Sequence, residues 1–197
     1  MEERLKKQLE FSLEVDKTKD IFRQTYLSSG ERKENDAEHA WHMALMAYLL
    51  REHANEDVDI LKVMVMILIH DLVEIDAGDT YAFDAEANLD KREREVKAAN
   101  RIFNILPEDQ AKEIYDLWEE FEAYKTPEAK FAHTLDNFQP LMLNNSTGGR
   151  SWKEHGVKLS QILKRNEKTC EGSEVIWEYA SGIIKENIER GTIIKDK

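Results

Sequence analysis

The sequence contains one cysteine, Cys170, so no disulfide can close within the chain. A stapled secreted scaffold is thereby excluded, and a reducing, cytoplasmic setting is the expectation. The amino terminus Met1-Glu2-Glu3-Arg4-Leu5-Lys6-Lys7 has no apolar signal core behind it. Long hydrophobic runs are missing as well: the longest, Val63 to Ile69, stops at Lys62 and His70 and is far too short to span a bilayer. Positive charge is in deficit, with 28 Lys and Arg against 40 Asp and Glu and a formal charge of −12. A duplex phosphate backbone would be repelled, so neither nucleic acid nor membrane is an expected partner. Small anions such as nucleotides stay compatible, because a metal ion and an arginine or two override the global field locally. There is no internal repeat, no low-complexity tract and no composition shift that would cut the 197 residues in two. One domain over 1–197 is expected.

What is present is helical periodicity. Leu5, Leu9, Leu13, Ile21-Phe22 and Tyr26 predict one or two helices to about Leu27, closed by Ser28-Ser29-Gly30. Asn35 or Asp36 can cap a helix whose stripe runs His39, His42-Met43, Met46 and Leu49-Leu50. Asp57 or Asp59 caps a helix predicted from about Val58 to Ala77, ending at Gly78. A buried strand over Val63 to Ile69 is the rival reading. It is disfavoured by two methionines, the missing glycine-rich turn and the apolar positions continuing at Leu72, Val73 and Ile75. Further helices are predicted over Asn88 to Leu106, after Pro107, and from Thr126-Pro127-Glu128 with a local kink at Pro140. A loop is predicted over Asn144 to Arg150, then helices at about Lys153–Lys164 and Ser173–Arg190. The fold class is all-α: a compact helical bundle of about six to eight helices, with a core over about 23–143 and carboxy-terminal helices over 150–190.

Chemistry concentrates in Ile69-His70-Asp71-Leu72-Val73-Glu74. Neighbouring residues on a helix point about 100° apart, so His70 and Asp71 share one ion only at the seam between their faces, and other helices must add ligands. His39 and Asp136 lie on two such helices beside apolar residues. Buried Asp is uncommon unless paired or metal-bound. Two imidazoles and two carboxylates suit manganese, cobalt, iron, magnesium or zinc without choosing among them. Glu74, one turn beyond the pair, places a base beside the same seam, an arrangement that suggests hydrolysis.

The order His, then His-Asp, then Asp on a helical chain resembles the HD-domain metal-dependent phosphohydrolases. It is similar in particular to their 5'-deoxynucleotidase-like branch through Ala37-Glu38-His39-Ala40-Trp41, Ile69-His70-Asp71-Leu72-Val73-Glu74-Ile75, Gly78-Asp79-Thr80 and Leu135-Asp136. The similarity spans roughly Arg23 to Asp136. The resemblance implies that His39, His70, Asp71 and Asp136 hold one divalent metal and that Glu74 positions or activates water. It also implies that Asp79 approaches the sugar and that Arg23, set in Lys19-Asp20-Ile21-Phe22-Arg23, contacts phosphate. Gln24 stands where the branch can carry a tryptophan that helps shape the sugar pocket. Two-metal relatives need further histidines before the last Asp, and His133 is the only one available, which favours a single ion.

The resulting expectation is a metal-dependent phosphomonoesterase acting on (deoxy)ribonucleoside 5'-monophosphates, with Glu74 and Asp79 catalytic and Arg23, Asp79 and His42 binding substrate. Two alternatives stay open: an HD-type tri- or pyrophosphohydrolase, and a non-catalytic metal-containing nucleotide-binding protein. Trp41 could stack a base or sit in a core or interface. The segment Ser146–Arg150 with Trp152, Lys153 and His155 could form a lid. Trp118, Phe121, Trp152 and Trp177 could exceed what one core buries, on which basis a homodimer is expected.

Overall fold

The computed structural model describes residues 2–79 and 89–196. Helix α1 (Glu2–Val15) and a 3₁₀ turn over Asp16–Asp20 lead into strand β1 (Phe22–Tyr26), which pairs antiparallel with β2 (Lys33–Asn35). The expected helix to Leu27 is therefore replaced by a hairpin. Gly30, at φ +73°, sits in its turn, and Leu27 N–H donates to Arg32 O at 2.9 Å. Local periodicity at Ile21, Phe22 and Tyr26 was outweighed by cross-strand pairing.

Asn35 then opens α2 (Asp36–Leu50) with a capping box: its side chain accepts Glu38 N–H at 2.9 Å, and Glu38 Oε2 accepts Asn35 N–H at 3.1 Å. Asp59 caps α3 (Ile60–Ile69) by accepting the N–H groups of Leu61 and Lys62. α3 does not continue to Ala77 as expected. It gives way to i→i+3 bonding, Leu72 N to Ile69 O at 3.1 Å and Glu74 N to Asp71 O at 2.9 Å, before the single turn α4 (Glu74–Ala77). His70 supplies a reason: its Nδ1–H donates at 2.6 Å to Ile67 O, the carbonyl a continuing helix would offer to Asp71 N–H.

The chain proceeds through α5 (Lys91–Phe103), α6 (Glu108–Ala123), α7 (Pro127–Ser146), α8 (Arg150–Glu154), α9 (Leu159–Arg165), α10 (Thr169–Gly172) and α11 (Glu174–Glu189). Two boundaries differ from expectation. α7 carries on through Pro140 into the segment read as loop, and the helix expected at Lys153–Lys164 is split into α8 and α9 around Gly156. The expected start at Asn88, and Thr80 of the Gly78-Asp79-Thr80 motif, lie outside the described residues. The all-α class holds, with one two-stranded sheet among the described residues.

Two hydrophobic clusters carry the fold. The larger joins α2, α3, α7 and α11 through Met43, Met66, Ile67, Phe131, Leu135 and Ile184; the smaller joins Ile69, Leu72 and Val73 to Ala99, Ile102, Phe103 and Trp118. Each such side chain contributes about 1.5–3 kcal/mol on burial. His70 and Asp71 fall where the chain passes from one cluster to the other. At the far side α10 packs so closely on α7 that a Cβ on Gly172 would sit 2.3 Å from Lys130 O, so only glycine fits.

The aromatics expected to spill out of the core do not: Trp118, Phe121 and Trp152 are buried, and Trp177 packs half-buried against the larger cluster. The apolar residues left outside are others, notably Trp41, Leu45, Tyr48 and Leu49 along one face of α2. Among the described residues no helix is long and apolar enough to cross a membrane.

Candidate metal centre

α2, the end of α3, and α7 bring His39, His70 and Asp136 together with Asp71 beside them. His39 is fully buried. Its Nδ1 lies 3.1 Å from Gln139 Oε1, and Gln139 Nε2 donates to Glu34 Oε2 at 2.8 Å. The carboxylate can only accept, which fixes the amide orientation, so Gln139 Oε1 accepts and His39 Nδ1 carries the proton. His39 Nε2 is left facing Asp136 Oδ1 at 3.1 Å. His70 is arranged the same way: Nδ1–H is committed to Ile67 O, and Nε2 points into the cluster, 3.0 Å from Asp71 Oδ2 and 3.8 Å from Asp136 Oδ1. Both imidazoles thus aim Nε2 at Asp136 Oδ1, with Asp71 beside His70, and each ring is oriented by a hydrogen bond on its other nitrogen.

Asp36, Asp71 and Glu74 form a second, adjoining carboxylate group. Arg23, from β1, reaches into it: Nη1 donates to Asp71 Oδ2 at 2.6 Å and to Asp36 Oδ1 at 3.4 Å, and Nη2 lies 3.9 Å from Asp136 Oδ1. One guanidinium does not neutralise so much negative charge. Burial and the charge of Asp71 push the Asp36 carboxyl up to about 7 against the pull of Arg23. Burial, Asp71 and Asp36 likewise push Glu74 well above the ordinary range. Asp136 goes the other way, because Arg165 and the two histidines hold it ionised despite burial. Burial opposes a charge on His70, yet Asp71 and Asp136 raise it to about 9. A proton and a metal ion compete for that Nε2 lone pair.

Among the described residues, His70 Nε2, Glu34 Oε1, Asp36 Oδ2 and Glu74 Oε2 are buried without a hydrogen-bond partner. Orphaned buried polar atoms are costly. Two imidazole nitrogens converging on carboxylate oxygens, one of them orphaned, fit a divalent ion of intermediate hardness. The cluster can therefore bind a metal.

The site opens into a cavity of about 240 Å³ lined by His70, Asp71, Asp136, Glu74, Asp79 and Arg23 on one side. Burial and Asp71 raise the Asp79 carboxyl while Arg23 opposes the rise. Gln24 lines the cavity and accepts Lys33 Nζ at 2.5 Å. Of the expected lid, Trp152 reaches the wall, joined by Ser151, whereas His155 turns Nδ1 to Ser151 O and, like Lys153, is absent from the lining. His42 stands behind the site: Gln139 Nε2 lies 3.2 Å from its Nδ1, so it supports Gln139 and does not face the cavity. Trp41 is exposed, and Asp76 pairs with Arg101. His133 stacks on Phe121 with ring centroids 3.9 Å apart and lies 2.9 Å from Phe121 O. Burial lowers His133 to about 4, a neutral ring packed in the wall.

Sequence reasoning missed Glu34, Asp36, Gln139, Lys91 and Arg165. Asp36 is one turn before His39 and Gln139 one turn after Asp136, a spacing that could have found both. Lys91 and Arg165 line the cavity from α5 and α9 with no local motif to mark them.

Residues 15–177 match the family model of the HD domain. A Bos taurus protein named 5'-deoxynucleotidase HDDC2 is 34% identical over 113 residues, 57% of this chain and 53% of that protein. The chain thus spans about half the length of that relative. A Dictyostelium discoideum protein of the same name is 34% identical over 140 residues, 68% of this chain and 74% of its own. A crystal structure of a predicted metal-dependent phosphohydrolase from Magnetospirillum magnetotacticum MS-1 superposes with a TM-score of 0.94 at 49% identity, covering 98% of this chain and 97% of that one. The family match takes in β1, the His-Asp turn and the whole of α7, and on it the chain belongs to the HD domain family.

Proposed function

We propose that this chain is a metal-dependent phosphomonoesterase acting on (deoxy)ribonucleoside 5'-monophosphates, built as one HD domain over 1–197. The observation that carries the reading is the convergence of His39 Nε2 and His70 Nε2 on Asp136, with Asp71 3.0 Å from His70 Nε2, beside a cavity that Glu74, Asp79 and Arg23 also line. The names of its HD-domain relatives, 5'-deoxynucleotidase and metal-dependent phosphohydrolase, supply the substrate class.

In this reading His39, His70, Asp71 and Asp136 hold one divalent ion, drawn from manganese, cobalt, iron, magnesium or zinc. The ion supplies Lewis acidity toward a phosphoryl oxygen and a lowered pKa for water. Glu74 orients the attacking water and takes its proton, its affinity for a proton raised by burial and by the charges of Asp71 and Asp36. Arg23 binds the phosphoryl group with its guanidinium fork. Asp79 accepts a hydrogen bond from a sugar hydroxyl. The protein is read as cytoplasmic and homodimeric, with the exposed α2 face of Trp41, Leu45, Tyr48 and Leu49 as the apolar surface available for pairing.

Electrostatics favours a monophosphate over a triphosphate. The cavity is lined by three cations, Arg23, Lys91 and Arg165, against six carboxyl groups, Asp71, Glu74, Asp79, Glu95, Glu122 and Asp136. Three cations against six carboxyl groups is not the cation-rich lining that the extra charge of a polyphosphate calls for. Arg32 and Lys33 do not help, being engaged with Glu38 and Gln24.

The test is product analysis on metal-stripped full chain reloaded with each ion and offered ribo- and deoxyribonucleoside mono- and triphosphates. Inorganic phosphate from monophosphates alone is expected. Pyrophosphate or triphosphate as product would replace the reading with a triphosphohydrolase, and silence with metal bound would replace it with a nucleotide-binding role.

A further inference from the structure

Asp136 is flanked by two guanidinium groups. Arg23 Nη2, from β1, lies 3.9 Å from Oδ1, and Arg165 Nη2, from the carboxy-terminal end of α9, donates to Oδ2 at 2.7 Å. Oδ1 also faces His39 Nε2 at 3.1 Å and His70 Nε2 at 3.8 Å. Both arginines therefore stand one carboxylate away from the candidate ion position, on different walls of the same cavity. Arg165 is the more open of the two, with a third of its side chain accessible against 12% for Arg23. Among the described residues only one of its five N–H donors has an acceptor. An arginine that needed only to neutralise Asp136 would not have to face the cavity with its remaining donors uncommitted.

Arg23 is more heavily used. It faces Asp36, Asp71, Glu34 and Asp136, so its charge is largely spent on the carboxylates that surround it. An arriving phosphoryl group of about two negative charges would meet a wall already rich in carboxylate. Lys91 lines the same cavity, but it is paired with Glu95 at 3.3 Å. Arg165 is the cation in the lining whose fork has the most capacity to spare.

We propose that Arg165 is a second phosphate-binding residue, so that the substrate's phosphoryl group is gripped between Arg23 on β1 and Arg165 on α9. The proposal rests on the phosphohydrolase reading above and adds to it the carboxy-terminal helices: α9 completes the site that the motif residues begin. A fork–fork contact to phosphate is directional as well as charged, so lysine at this position replaces it only in part.

The alternative role for Arg165 is to position Asp136, and metal affinity separates the two. The experiment uses the manganese-loaded full chain as wild type, Arg165→Ala and Arg165→Lys, with three readouts: metal content, calorimetric titration with inorganic phosphate, and kcat/KM on a nucleoside monophosphate. Phosphate affinity is expected to fall at least about tenfold in Arg165→Ala with metal content unchanged, and to recover partly in Arg165→Lys. The value of kcat/KM is expected to fall by about 10²-fold and to rise again when guanidinium is added to Arg165→Ala. Loss of metal from Arg165→Ala would overturn the proposal in favour of a positioning role. Phosphate affinity equal to wild type would overturn it outright, as would a wild type that binds no phosphate. A wild type that binds phosphate through Arg165 yet hydrolyses no nucleotide would sink the hydrolase reading and leave this one standing.

Discussion

The outer face formed by α1, α5 and α6 and the centre formed by β1, α2, α3 and α7 are both crowded with charge, and they handle it in opposite ways. On the outer face, acids and bases meet in matched pairs: Arg4 grips both oxygens of Asp109 at 2.8 Å, Arg92 holds Glu119 at 2.7 and 2.8 Å, and Arg101 bridges Glu14 and Asp76. These groups are largely exposed, and water would serve most of them nearly as well. At the centre a single buried guanidinium, Arg23, faces Glu34, Asp36, Asp71 and Asp136, and among the described residues several buried polar atoms have no hydrogen-bond partner. Surface charge needs no balance beyond the solvent, whereas buried acid in excess calls for a cation. The difference marks where a bound cation would be needed.

If that contrast is right, the largest effect follows removal of a central carboxylate. Asp71→Ala is expected to lose the bound ion and to cut phosphate release by more than about 10³-fold, along with the metal-dependent rise in melting temperature. Metal analysis and melts with and without chelator check this, and unchanged metal content would remove Asp71 from the centre. Glu74→Gln comes next. It keeps the shape of the side chain, so fold and metal should persist while kcat falls by about 10²–10⁴-fold. Full activity would end the role assigned to Glu74.

A smaller effect concerns pH. In the folded chain without metal, Asp36 titrates at about 7 against 3.8 for an ordinary Asp, so the folded state binds the proton more tightly than the unfolded state. Its contribution to stability is complete below the unfolded value and is lost as pH rises through the folded one. Asp36→Asn in chelator should therefore match wild-type stability near pH 4 and exceed it at pH 8, by an amount on the order of a few kcal/mol at most, read from melting curves at each pH. Parallel melting curves across that range would show that Asp36 carries no such strain. The smallest effect belongs to the outer face: Arg4→Ala should move the melting temperature by about 2 °C or less, and less again in high salt. A shift as large as that of a central substitution would erase the contrast.

Much of the centre was legible in the sequence because its residues are tied to helical spacing. His39, His70, Asp71 and Asp136 each sit beside apolar residues that fix a buried face, and the caps at Asn35, Asp59, Thr126 and Ser173 fall at helix starts. What was lost depends on contacts between distant segments. The strand over Phe22–Tyr26 exists by pairing with Lys33–Asn35, which outweighs its helical spacing. The break at His70 depends on a side chain capturing the Ile67 carbonyl, while the apolar pattern runs on unbroken to Ile75. Gln139 was one turn from Asp136 and went unread because a helix-face glutamine has an ordinary solvated alternative. Arg165 carries no local mark, since only the packing of α9 beside α7 brings it to Asp136.

The measurement that bears most directly on the account is the metal itself: anomalous scattering from a crystal of the manganese-loaded chain, with ion content determined on the same protein. One ion per chain is expected, held by Nε2 of His39 and His70 together with carboxylate oxygens of Asp71 and Asp136. A chain that takes up no ion, or holds it away from those four residues, would contradict it.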